Sequence, residues 1–126
     1  PWRATHQLIH LMQEIRPDIV HLHHPFLLGV AGLYAARAHT IPVVFTYHTC
    51  YEKYAHYVPL FGSMAAPLIA YRVKRFCKQV DGIVAPSRGI ENELRSGGLS
   101  VPISVIPSGL REQFMKYERD FNATQN

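Results

Sequence analysis

Four short runs of apolar, largely β-branched residues punctuate this chain, and each stops at a polar residue beside a proline or a loop. Ile19-Val20-His21-Leu22-His23 runs into His24-Pro25, and Val43-Val44-Phe45 runs into Thr46-Tyr47-His48. Gly82-Ile83-Val84-Ala85 ends in Pro86-Ser87, and Ile103-Ser104-Val105-Ile106 ends in Pro107-Ser108-Gly109. The three intervening segments are long enough for helices, which parallel strands require as crossovers and hairpins do not. The β-α-β-α-β-α-β pattern therefore predicts an α/β fold: a parallel sheet in sequential order with helices on both faces. Ligands of open α/β sheets bind beyond the carboxyl ends of the strands, so the four polar ends are expected to share one functional rim.

With 126 residues, 48% hydrophobic and 17% charged, the chain holds one globular domain at most. It opens on Pro1 and fades into polar sequence after Phe121, so both ends look cut. No segment reaches the roughly 18–20 apolar residues of a membrane span. Cys50 and Cys77 have neither metal-type spacing nor a disulfide framework, and read as free thiols in a reducing compartment. A net charge of +4 is compatible with several anionic partners, but no nucleic-acid module has a signature here.

Helical spacing places Leu8, Met12 and Ile15 on one side of a helix over Thr5–Ile15, closed by Arg16-Pro17. Phe26–His39 reads as the first crossover helix. A third helix runs from a Ser63 cap to Gln79, with Ile69, Val73, Phe76 and Val80 as its apolar stripe. Lys74, Arg75 and Lys78 lie on the opposite face. That face is either an ordinary solvated surface or one attracted to anionic lipid headgroups. Ser87 caps a short helix to Arg95 that Gly97-Gly98 ends, and another helix begins near Leu110.

The chemistry concentrates after the second strand. Tyr47, His48, Thr49, Tyr51, Glu52, Tyr54, His56 and Tyr57 follow one another in a predicted loop over Thr49–Gly62, and loops this long tend to be functional. An imidazole at a strand end can donate to a sugar hydroxyl or phosphate, or relay a proton, which makes His48 the leading catalytic candidate. The tyrosines offer an apolar surface with hydroxyls, suited to a ligand of sugar or lipid character. His21, His23 and His24 form an H-x-H-H cluster that admits a metal reading, but no other strand end supplies a suitable Asp or Cys. No metal is expected, and the cluster is read as one inward core histidine with one or two rim histidines that hydrogen-bond substrate or backbone. The chain has no G-x-S-x-G, G-x-G-x-x-G or Walker motif.

Pro17-Asp18-Ile19-Val20-His21-Leu22-His23, Pro42-Val43-Val44-Phe45-Thr46-Tyr47-His48-Thr49, Val80-Asp81-Gly82-Ile83-Val84-Ala85-Pro86-Ser87 and Val105-Ile106-Pro107-Ser108-Gly109 occur in that order. Together they resemble the second half of the Rossmann-like N-terminal domain of retaining GT-B glycosyltransferases of family 4 (glycosyl transferases group 1). Thr46–Tyr57 is most similar to the bacterial diacylglycerol glucosyltransferases of glycolipid biosynthesis. The resemblance implies transfer of a hexose, glucose from UDP-glucose, to a lipid hydroxyl such as that of diacylglycerol. Retention is attributed to front-face attack assisted by the departing phosphate, with neither metal nor cofactor.

By the same resemblance His48 contacts the transferred sugar. His23, His24, Tyr47, Thr49, Tyr51, Glu52, Tyr54, Ser87 and Ser108 line the substrate sites, and Lys74, Arg75 and Lys78 face an anionic membrane. Residues 1–110 correspond to the C-terminal half of the acceptor-side domain. Residues 111–126 begin the connection to a donor-binding domain that this sequence lacks, so the piece alone is expected to be inactive. The implied location is cytoplasmic, peripheral on the inner face of the membrane. Three alternatives stand beside this reading: a family 4 transferase with a non-lipid acceptor, a metallohydrolase built on the histidine cluster, and a non-catalytic binding domain.

Overall fold

Each apolar run becomes a strand only as far as a neighbouring strand is there to pair with it. The computed structural model describes residues 2–48, 65–107 and 109. The elements in chain order are α1 (Trp2–Ile15), β1 (Val20–Leu22), α2 (Leu28–Ala38), β2 (Val43–Thr46), α3 (Ala65–Cys77), β3 (Gly82–Ala85), α4 (Arg88–Ser96) and β4 (Ile103–Val105). Among the described residues the strands form one sheet in the order β1-β2-β3-β4, and every neighbouring pair is parallel. The α/β class and the sequential parallel sheet are those the sequence predicts.

Register and alternation decide what each face carries. Leu22, Phe45, Ile83 and Ile103 stand in one row across the four strands. Side chains alternate along a strand, so Val43 and Tyr47 share the face of Phe45. This face meets the helices. Met12 of α1, Leu33 and Ala36 of α2, Val73 and Phe76 of α3, and Leu94 of α4 join Val43, Phe45 and Ile83 in a single buried cluster. The Phe45 and Phe76 rings meet edge to face, centroids 5.1 Å apart. The opposite face carries His21, Val44, Thr46, Val84 and Ser104, which are half-buried or exposed. Val44 is only half-buried because the helical core meets the other face.

Several boundaries move for identifiable reasons. Ile19 reads as strand, yet β1 starts at Val20, whose partner Val43 is the first residue of β2. Ile19 has no ladder neighbour and is 55% exposed. The first crossover helix was expected from Phe26 but starts at Leu28, behind Leu27 with φ +40°. Its first turn then packs so closely on the preceding chain that a Cβ on Gly29 would overlap the His24 carbonyl oxygen. The next helix ends at Cys77 rather than Gln79, closing in a turn where the Gln79 N–H donates to the Phe76 carbonyl at 2.9 Å. Ser87 caps α4 as expected, accepting from the Ile90 N–H at 3.3 Å, and Gly98 supplies the left-handed stop at φ +78°. Cys77 is a buried free thiol. Ser63, Cys50, the loop over 49–62 and the helix expected from Leu110 lie outside the described residues.

Asp81 locks the start of the sheet. Its Oδ2 accepts from the Val43 N–H at 2.8 Å, its own N–H donates to the Val43 carbonyl at 2.8 Å, and Oδ1 faces the Arg37 guanidinium at 3.3 Å. The ion pair is half exposed and contributes little. The Val43 N–H is different, because Val43 is fully buried and has no water to turn to. Asp81→Ala is therefore expected to cost about 1–3 kcal/mol, the penalty of an orphaned donor. Removing Arg37 instead should cost well under half of that. Urea unfolding of the two variants checks the order.

Candidate active site

β1 and β2 are adjacent and parallel, so their carboxyl ends emerge side by side. Alternation puts His21 and His23 on the same side of β1, and their ring centroids lie 4.2 Å apart. On β2 the same rule places Thr46 and His48 together, away from buried Tyr47. The His21 Nε2 and Thr46 Oγ1 are joined by a hydrogen bond of 2.7 Å. One step nearer the rim, His23 Nδ1 and His48 Nε2 are joined at 2.8 Å. Their ring centroids are 5.2 Å apart with planes inclined by 24°. With so short an N···N distance, that is two imidazoles meeting nearly edge to edge. His48 is exposed, and among the described residues its Nδ1 has no partner. An exposed imidazole held through one ring nitrogen can donate to or accept from a bound ligand through the other.

The His21 imidazole has its pKa lowered from the usual 6.5, first by burial of part of the ring and then by the neighbouring His23 and His48. A folded pKa below the unfolded one means the unfolded chain binds the proton more readily. The contribution of this group to stability is therefore complete above pH 6.5 and is lost as the pH falls through 6.5 toward the lowered value. The effect is modest, since the residue is still partly solvated. Thermal unfolding of the parent chain is expected to lose stability as the pH falls through 6.5 more steeply than His21→Gln, whose amide keeps a partner for Thr46 without titrating. Parallel curves for the two would contradict this assignment.

The other expected site residues fall into three groups. Tyr47 was placed on the substrate rim, but it is 3% exposed and its ring meets Phe45 edge-on at 6.1 Å, so it belongs to the core. His24 turns back on its own chain, where its Nδ1 accepts from the Phe26 N–H at 3.2 Å. Ser87 is exposed, and its hydroxyl oxygen accepts from the α4 backbone. Thr49, Tyr51, Glu52, Tyr54 and Ser108 lie outside the described residues. The His21-His23-His24 metal cluster does not assemble, because His24 serves the turn. Among the described residues no three His, Cys, Asp or Glu side chains are placed to hold an ion.

Lys74, Arg75 and Lys78 are all exposed and surround Tyr71, itself 60% exposed, on the outer face of α3. A groove of about 440 Å³ continues from there toward α2, lined by Phe26, Leu27, Val30, Tyr34, Leu68 and Arg72 among others. Leu27 is 83% exposed and Leu68 55%. The face is both basic and apolar. Among the described residues, no helix is long and apolar enough to cross a membrane.

The family model of Glycosyltransferase Family 4 matches residues 1–114. The chain belongs to that family. Among curated relatives of this family 4 chain, an alpha-monoglucosyldiacylglycerol synthase of Streptococcus pneumoniae is 33% identical over 118 residues, covering 94% of this chain and 26% of the relative. A protein of the same name from Acholeplasma laidlawii is 30% identical, over 79% of this chain and 26% of the relative. A GDP-mannose-dependent alpha-mannosyltransferase of Corynebacterium glutamicum is 33% identical over 71% of this chain and 21% of its own length. The chain thus spans about a quarter of the curated relatives it matches. A solved structure of S. aureus MnaA with UDP superimposes with a TM-score of 0.57 at 23% identity, over 82% of this chain and 26% of the other. That likeness concerns the fold.

Thr46 is not singled out from sequence, and His21 enters only as a member of the H-x-H-H cluster. The signal was available in the period of two: counting back from His48 selects Thr46, and counting back from His23 selects His21.

Proposed function

We propose that this family 4 chain is the acceptor-side half-domain of a retaining glycosyltransferase that moves glucose from UDP-glucose to a lipid hydroxyl such as that of diacylglycerol. The observation that carries the reading is the His23–His48 pair at the carboxyl rim of β1 and β2, with His48 exposed. Two relatives bearing the name alpha-monoglucosyldiacylglycerol synthase support the choice of sugar and acceptor. In this scheme the bond between the sugar C1 and the leaving phosphate oxygen breaks while C1 bonds to the acceptor oxygen on the same face. The acceptor proton passes to the departing phosphate. The step uses no protein nucleophile, and His48 holds a hydroxyl of the transferred sugar as charge develops.

Residues 1–110 form the acceptor side in this proposal, and residues 111–126 lead toward a donor-binding domain in cis. Thr49, Tyr51, Glu52 and Tyr54 border the acceptor entrance, with Ser108 on the rim. The enzyme works on the inner face of the cell membrane, with Tyr71, Lys74, Arg75 and Lys78 toward anionic headgroups. Exposed aromatic and cationic side chains on one helix face suit that interfacial zone.

Mannosyl transfer is the second reading, favoured by the mannosyltransferase relative at 33% identity. The test is a radiolabel assay of the full-length enzyme containing this chain, with diacylglycerol in mixed micelles and either UDP-glucose or GDP-mannose. Glucosylated lipid from UDP-glucose is the expected product. Label entering lipid only from GDP-mannose would replace the donor assignment, and label entering only a water-soluble acceptor would remove the lipid.

A further inference from the structure

The site contains a histidine whose geometry suits it to act through another residue rather than on a ligand. We propose that His23 is a positioning residue that fixes the orientation and tautomer of His48. This rests on the reading of His48 as the group that meets the transferred sugar.

An N–H···N bond between two imidazoles holds a single proton, and the 2.8 Å separation of His23 Nδ1 and His48 Nε2 is that of such a bond. The bond ties the two tautomers together. When the proton sits on His23, neutral His48 carries its own proton on Nδ1 and donates outward. When the bond proton sits on His48, neutral His48 offers Nδ1 as an acceptor. A cationic His23 permits only the first arrangement. His23 thus decides whether the Nδ1 of His48 gives or takes a hydrogen bond.

The support behind His23 is built into the sheet. His21 precedes it on the same side of β1, its ring 4.2 Å away, and is bonded across to Thr46 at 2.7 Å. Because β1 and β2 are hydrogen-bonded neighbours, this second link fixes the distance between the strand ends from which His23 and His48 emerge. The two bonds form parallel rungs, and only the outer one reaches the rim. Groups that orient a catalytic side chain in this way matter through geometry: displacing the oriented group by about 1 Å can lower a rate by about 10²-fold.

The experiment compares His23→Phe, His23→Asn, His48→Ala and the double variant His23→Phe/His48→Ala in the full-length enzyme containing this chain. Phe keeps the ring but offers His48 no partner, and kcat is expected to fall by about 10-fold or more with substrate KM little changed. The amide of Asn reaches the position of Nδ1 and can donate to His48, so His23→Asn should recover most of the loss. The double variant should be no slower than His48→Ala alone, because a residue acting only through His48 has nothing left to orient. Losses that multiply in the double variant, or a defect that Asn does not repair, would overturn the proposal and make His23 a ligand contact or a packing residue. Full activity of His23→Phe beside a crippled His48→Ala would overturn it while sparing the role of His48. Normal turnover of His48→Ala would instead remove the functional reading beneath it.

Discussion

His48→Ala in the full-length enzyme containing this chain is expected to lower kcat by about 10²–10³-fold, the usual consequence of deleting one preorganised group at developing charge. The expectation follows from placement. The ring projects from the end of β2, one nitrogen is engaged by His23 at 2.8 Å, and the other has no partner among the described residues. An exposed side chain at a strand end gives little to the fold. Loss of the exposed bond to His23 should change stability by about 0.5–1.5 kcal/mol, small beside the kinetic effect. The two readouts together separate catalysis from folding: a large drop in kcat with a nearly unchanged Tm supports the assignment. Near-normal turnover rejects it. A collapse of Tm parallel to the activity loss would make His48 a structural group.

The fold was legible because parallel sheets advertise themselves. Buried strands are short continuous apolar runs, and the lengths between them leave helices as the natural connections. What the runs do not mark is where pairing stops. Ile19 is as β-prone as Val20, but ladder length is set by the neighbour, and β2 begins opposite Val20. Helix α2 illustrates a second limit. Its apolar pattern extends back to Phe26, while backbone geometry at Leu27, with φ +40°, decides the first turn. Positive φ at a leucine has no sequence signature.

The site was legible in its members more than in its wiring. His48 stands out by its position, and His23 by its strand end. Tyr47 was misplaced on the rim for lack of one further step: Val43, Phe45 and Tyr47 form a period-two series, so a buried Phe45 carries Tyr47 into the core with it. The bond between His23 and His48 lies a level beyond that. It depends on which strands are neighbours, on their register, and on rotamers that turn two rings edge to edge. His24 shows how a local turn adds a task that clustering in sequence does not reveal, since its Nδ1 accepts from the Phe26 N–H.

Charge reversal of the α3 face carries the second large effect. Each cation close to an anionic leaflet contributes about 1 kcal/mol of attraction, so losing Lys74, Arg75 and Lys78 removes about 3 kcal/mol, a factor of about 10² in membrane partitioning. Reversal to Glu at all three positions adds repulsion to that loss. The proposed attraction to a bilayer has a second component: the cations encircle Tyr71, and Leu68 and Leu27 stand exposed along the adjoining groove. Apolar side chains amid cations insert where headgroups meet acyl chains. Vesicles with and without anionic lipid separate the two contributions, because the Coulombic part weakens as added salt shortens the screening length and the apolar part does not. The full-length enzyme containing this chain should bind anionic vesicles strongly at low salt and less at high salt. The triple reversal should bind weakly at both. Binding unchanged by the reversal would leave the face an ordinary solvated helix surface.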